Sequence, residues 1–561
     1  MKKIYIGLFA VLVLLGCKKY QQDGPLENLT EDMVFDPSDK NGFYAEQYLN
    51  NIFSTLPRGF NRVGGDLLDA ATDDALPSRD GTEIENISQS RISSVINNPD
   101  GAWFEHYVTI RKVNVFLKKI DVVPLPAKIP IWKAQTRFLR AMAYFELLKR
   151  YAGVPLVGDR VFTANEDIKL KRNSFEECVN YIVSECDAIK ELVYQEPVSA
   201  TDWGRISKGA VLALKSRVLL YAASPLFNGS SSNELMGYTS YNAERWKTAA
   251  QAASDLINMT GKPYSLPAPA TKTFNTIFIE RRNSEIILNY LRAVNYDIEY
   301  NNGPIGYFNQ AAGRGVTSPT QNLVDAFPTK DGKEISAAGS GYDPNQPYAN
   351  RDPRLAYTVL TNEVSWLGRK LEMFEGGLDK PNKGGRVQTK TGYYLKKFMG
   401  NFATASIYAN GDRNFTIFRY AEILLNFAEA QNEFLTSPSA DIYTVLRDLR
   451  RRAQITEGTT NKFGIKDNMT KAEMRQAIKN ERRIELAFEE HRYWDLRRWK
   501  DAEKELNKTL TGMKITKTST GFSYERVAAG KVSFAFPKMY LYPIPFAEIS
   551  RNENLIQNTG W

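Results

Sequence analysis

Only two histidines, His106 and His491, occur in 561 residues, and both lie in apolar-aromatic stretches with helical spacing. No HExxH, CxxC, GxSxG or GxxxxGKS/T run is present, so the usual metal, nucleophile and nucleotide-phosphate constellations are missing. A carboxylate pair for glycoside hydrolysis is defined by distance in space, and many Asp and Glu residues are available for one. Sugar recognition asks for a different set. Apolar ring faces stack on Trp and Tyr, while hydroxyls need fixed Asp, Asn and Arg partners. Both kinds crowd the non-helical stretches: Tyr296, Tyr300, Tyr307 and Phe308 in NYDIEYNNGPIGYF, Trp366 in EVSWLG, and Asp73, Asp74 and Arg79 in a loop shared with Asp66 and Asp69. These are the candidate ligand-binding residues, with Trp203 a weaker one; the competing reading is that such rings pack under loops. No metal or cofactor is expected.

The N-terminus carries Lys2 and Lys3, then an apolar run from Ile4 to Leu15 ending Leu14-Leu15-Gly16-Cys17. A bilayer span needs about twenty apolar residues, so the run reads as a signal peptide over 1–16. A Cys directly after Leu-Leu-Gly resembles the bacterial lipobox, which implies lipidation (palmitate among the acyl groups) of Cys17. Residues 17–37 are polar and turn-rich, as a tether would be. Removing Lys2 and Lys3 takes the net charge from +9 to +7, with no block of five or six like charges, which argues against nucleic acid as a partner. If Cys178 and Cys186 share one helix they are about 12 Å apart along its axis, beyond disulfide reach. They read as buried apolar residues.

The elements that must position these residues are mostly helices. Apolar stripes at helical spacing occupy 43–53, 103–117, 132–151, 208–223, 243–259, 420–434 and 439–453, and Ser174 with Glu177 forms a capping box ahead of another helix. Short Ala- and aromatic-rich helices in adjacent pairs resemble tetratricopeptide hairpins without a strict 34-residue period. Residues 260–419 interrupt them with many Gly, Pro and Asn and with strand candidates at 285–290, 393–398 and 415–418. A segment that long without helices points to function. The expected class is mainly α, with helical pairs against a loop-rich half: an N-terminal helical part over 38–260, a ligand-binding part over 261–418 and a C-terminal helical part over 419–561.

The stretch 469–500 opens with a second capping box, Thr470 with Glu473, and a staple of Met469 on Met474. Neither Gly nor Pro follows in it, so the pattern predicts one long enclosed helix. Its charges must pair, Glu489 with Arg492 and Asp495 with Arg498 at i,i+3. The run NERRIELAFEEHRYWDLRRW resembles the C-terminal signature of the SusD/RagB family, with Glu490 standing where that family commonly has Gly. WFEHYVTIRKVN, RFLRAMAYFELLKRYAGVPLV, KSRVLLYAASPLFN, SPTQNLVDAFPTKDG, FRYAEILLNFAEAQN and the ending YLYPIPFAEISRNENLIQNTGW resemble further family segments in order. The resemblance implies four tetratricopeptide-like pairs and a non-enzymatic lipoprotein facing the exterior at the outer membrane. Such a protein captures a nutrient, commonly an oligosaccharide and in the RagB branch a peptide, and acts as a lid on a SusC-like TonB-dependent transporter. A tetratricopeptide-type scaffold that binds a protein in its helical groove is the alternative.

Overall fold

The computed structural model describes residues 31–561 apart from 97, 164, 230, 270–272, 308–312 and 383–386. The signal peptide, Cys17, most of the tether and Phe308 lie outside the described residues. The main helices are α1 (Phe43–Phe53), α2 (Trp103–Lys119), α3 (Ile129–Tyr151), α4 (Phe175–Ile189), α5 (Lys208–Ala223), α6 (Glu244–Ile257), α7 (Asp297–Asn302), α8 (Tyr420–Phe434), α9 (Ala440–Arg452), α10 (Lys471–Glu485) and α11 (Arg492–Arg498). Both predicted capping boxes form, each side chain bonding the other residue's backbone N–H. Helix α2 packs on α3, α3 on α4, α4 on α5 and α5 on α6. Helix α8 then packs back on α6, so the array is continuous in space where the sequence is interrupted. The largest apolar cluster reaches from Phe35 to Leu555, and Cys178 and Cys186 are buried in it as free thiols. None of the described helices is long and apolar enough to cross a membrane.

The strands pair in twos, all antiparallel: β1 (Ala75–Pro77) with β3 (Thr317–Pro319), β2 (Ile286–Tyr290) with β8 (Phe415–Arg419), β4 (Val359–Leu360) with β7 (Tyr394–Leu395), β5 (Ser365–Trp366) with β6 (Arg369–Lys370), and β9 (Thr509–Lys517) with β10 (Phe522–Lys531). The β9–β10 hairpin has the longest strands and went unpredicted. Strand β9 buries Leu510, Met513 and Ile515, whereas β10 only half-buries Phe522, Tyr524 and Ala529, and its alternation breaks at Glu525 and Arg526.

The long helix expected over 469–500 is two helices. After Glu485 the chain turns through Phe488 and Glu490, both at left-handed φ of 62° and 61°, before α11 begins. Groups from distant segments hold the break. Lys397 Nζ donates to the carbonyls of Glu485 and Ala487 at 3.0 and 2.8 Å, and Asp69 Oδ1 accepts from the Phe488 N–H at 3.0 Å. The charges do pair, but by a different plan. Asp495 meets Arg498 at 2.8 Å as expected, while Glu489 pairs with Lys397 and Arg419, leaving Arg492 to Asp73 at 2.8 Å.

Glu490 explains itself in this turn. A left-handed residue with a side chain costs about 1–2 kcal/mol relative to Gly. Its carboxylate offsets this by taking Arg62 at 2.6 and 2.9 Å, an arginine that also pairs with Asp100. Glu490→Gly should therefore stay within about 1 kcal/mol of the parent, whereas Glu490→Ala keeps the backbone cost, loses the pair and should fall by about 2 kcal/mol. Urea unfolding midpoints check this; equal midpoints for the two variants would show that the φ carries no cost.

Candidate functional site

Helix α7 is short and two-faced. Ile298, Glu299 and Asn302 are buried, with Glu299 paired to Arg413 and accepting the Gly400 N–H at 3.1 Å. The other face is open: Tyr296, the residue before the helix, is 38% exposed and Tyr300, one turn on, is 39% exposed. A spacing of four places both rings on one side. Val294, two residues before Tyr296, is exposed as well. Tyr296 stacks at 6.4 Å on buried Tyr408, which fixes its ring from behind.

Polar groups are brought alongside by two hydrogen-bond relays, the first through the backbone and the second through side chains. The Arg314 N–H donates to the Tyr300 carbonyl at 2.8 Å, and the Arg314 guanidinium lies 5.5 Å from the Tyr300 ring. Gly315, at φ +52°, sits where a Cβ would fall 2.5 Å from the Tyr394 ring, so only Gly passes here. The next residue, Val316, bonds Asn301 on one side and the Ser78 N–H on the other, which sets exposed Arg79 beside this run. In the second relay, Asn302 donates to Asn61 at 2.8 Å and Asn61 donates to the Gly65 carbonyl at 2.7 Å, fixing the turn that carries Asp66. Tyr296, Tyr300 and Arg79, far apart in sequence, thus share one surface with Arg314, while Asp66, 1% exposed, is buried in the adjoining turn.

Asp66 is chemically the most unusual of these residues. One carboxylate oxygen takes a long bond from Thr317 and the other has no partner among the described residues. Burial pushes its pKa up to about 7, with Arg79, the Thr317 hydroxyl and Lys390 pulling the other way. The folded value exceeds the unfolded one, so its contribution to stability is full at low pH and is lost as pH rises from about 4 through 7. Asp66→Asn should accordingly melt higher than the parent at pH 8, with the gap shrinking at pH 5 by about 1.4 kcal/mol per unit of pH below 7. Melting curves at the two pH values check it; a constant gap would mean that Asp66 is ionised throughout.

The remaining sequence candidates are elsewhere. Asp73 and Asp74 are buried and committed to α10 and α11, Asp73 to Arg492 at 2.8 Å and Asp74 to Arg483 at 2.7 Å. Burial would raise the Asp73 carboxyl, but Arg483 and Arg492 hold it well below the usual range. Both acids are corrected from ligand contacts to supports of the interior. Trp366 is 1% exposed and donates to the Tyr408 hydroxyl at 3.1 Å, while buried Tyr307 donates to the Trp366 carbonyl beneath the Arg369 guanidinium. These two rings are corrected to a layer behind Tyr296, reaching it through Tyr408. His491 is buried, and burial together with Arg217, Arg482, Arg419 and Arg498 keeps it neutral. Sequence reasoning missed Arg314, for which the Gly313-Arg314-Gly315 triplet was the available signal, and noted Asp66 without choosing it.

Comparison with known proteins agrees with this architecture. Residues 284–561 match the model of the SusD family, and residues 60–220 match one described as starch-binding associating with the outer membrane. The SusD-like protein P2 of Formosa agariphila is 22% identical across 100% of this chain and 99% of its own length. The SusD-like protein P38 of the same organism is 26% identical across 82% and 79%. A solved SusD-like protein from Bacteroides fragilis gives a TM-score of 0.76 at 25% identity, covering 95% of this chain and 100% of that one. A laminarin-binding SusD-like protein gives 0.64 at 22%, covering 93% and 100%. Fold and matched segments together define a helical-repeat protein of a class associated with the outer membrane. The chain belongs to the SusD/RagB family.

Proposed function

We propose that this protein captures an oligosaccharide at the outer membrane and delivers it to a SusC-like TonB-dependent transporter, working by binding and without a covalent step. The observation that carries the reading is the ledge: two exposed tyrosines one helical turn apart, with exposed Arg79 and Arg314 beside them. Rings of that spacing offer successive faces to a sugar chain, and the two guanidiniums offer donors to its hydroxyls. The carbohydrate-binding description of a solved relative and the laminarin-binding one of another support the ligand class. In this reading Cys17 is the lipid anchor and residues 18–37 the tether that holds the body at the cell exterior. Calorimetry on the full chain, against plant, host and microbial glycans and mixed oligopeptides, tests it. Saturable heat with one glycan class is expected; heat with peptides alone would move the protein to peptide capture.

A further inference from the structure

Two cavities meet beneath the loop joining α4 to α5, and none of their lining residues belongs to the tyrosine ledge. The larger, about 520 Å³, is walled by Trp203, Tyr264 and Arg282, and the smaller, about 270 Å³, by Phe53, Tyr290 and Leu291. Trp203, Gly204, Arg205 and Asn289 line both, so the two form one elongated recess. The larger alone falls within the range of small-ligand sites, about 300–1,000 Å³.

Its polar groups are incomplete in a specific way. Asn289, on β2, is 4% exposed, and its carboxamide oxygen has no partner among the described residues. Glu196 accepts the Gly209 N–H at 2.8 Å and the Tyr264 hydroxyl with one oxygen, while its other oxygen is buried without a partner among the described residues. Buried acceptors are ordinarily satisfied; these two oxygens are covered by their own surroundings, so a donor in the recess meets them once the Asn289 carboxamide and the Glu196 carboxylate turn toward it. Trp203 provides the apolar wall. Its indole N–H is already spent on the Arg281 carbonyl at 2.8 Å and the Arg282 guanidinium lies 5.1 Å from the ring, so the ring is fixed before a ligand arrives.

A ligand here must bring hydroxyl donors to two acceptors and an apolar face to an indole. Arg282 in the wall and Arg205 at the junction disfavour a cation, although Glu196 alone would attract one. A neutral saccharide meets all of these terms. We propose that the recess is a second saccharide subsite built on Trp203, Asn289 and Glu196. It rests on the capture reading for its ligand class and not for its place.

The test is calorimetric titration of the full chain with laminaritriose, maltotriose, cellotriose, xylotriose and, as a cationic control, trilysine. The parent is compared with Asn289→Leu, Trp203→Ala and the Tyr296→Ala/Tyr300→Ala double variant. For a binding trisaccharide the parent should take two molecules per chain, and Asn289→Leu and Trp203→Ala should each weaken one of them tenfold or more. Asn289→Leu removes an orphaned acceptor, so it should melt no lower than the parent when unliganded, which separates lost binding from lost folding. A single site, unchanged in Asn289→Leu and lost in the tyrosine variant, would overturn the subsite and leave the ledge standing. A single site with the opposite pattern would support the recess and overturn the ledge. Heat with trilysine alone would overturn the saccharide assignment, and no heat with any probe would overturn both sites.

Discussion

Glu485→Gln should leave a chain that does not hold its native fold at neutral pH and room temperature. The Glu485 carboxylate meets Arg354 at 2.9 Å and Arg419 at 2.7 Å and also bonds Arg452, all with side chains at most 3% exposed. Removing one partner of a buried pair costs about 3–5 kcal/mol, because the charge left behind is uncompensated. Here three guanidiniums share the one carboxylate, and Asp352, Glu285, Glu481 and Glu489 only partly take up the remainder. The expected loss approaches the whole stability of a typical domain, about 5–15 kcal/mol. Circular dichroism and urea titration check it; a native-like spectrum with a midpoint near the parent's would show that the neighbouring acids suffice.

The same carboxylate sets the acid limit of the fold. Burial alone would raise its pKa, but Arg452, Arg419 and Arg354 overcome burial and hold it well below 4.5. A depressed carboxylate contributes stability that is full above the unfolded value and is lost as pH falls through the folded one. Glu429, Glu481, Glu489 and Asp495 are depressed by arginines or Lys397 in the same way, so these losses coincide below about pH 4.

What the sequence made legible follows from range. Helices α5 and α8 were readable to the residue, because periodicity and caps are local properties. The break after Glu485 was not, since the groups that hold it, Lys397 and Asp69, arrive from far along the chain. Asp73 and Asp74 misled for a related reason. An acid cluster in a polar loop has the same composition whether it faces a sugar or an arginine on α10. Trp366 and Tyr307 carried aromatic signal without burial signal, as the loops over them have no period. Tyr296 and Tyr300 stood out by composition alone, as aromatics in a Gly- and Asn-rich stretch, while the six-residue helix that sets them one turn apart was too short for its period to show.

That difference between exposed and buried rings yields the second large effect. The Tyr296→Ala/Tyr300→Ala double variant should weaken glycan binding on the ledge by tenfold to a hundredfold, given about 0.5–1.5 kcal/mol per aromatic contact beyond its buried area. Its melting temperature should stay near the parent's, because both rings are more than a third exposed. Trp366→Ala should behave in the opposite manner. It opens a cavity among Tyr307, Phe402 and Tyr408 and should cost about 3–5 kcal/mol of stability. Binding would then fall in step with the folded fraction, through the Tyr408 support of Tyr296 and not through a lost contact. Titrating both variants at a temperature where each is folded separates the two cases. A Trp366→Ala chain that melts like the parent yet no longer binds would put the indole in the site after all, and would require the loop over it to open when the sugar arrives.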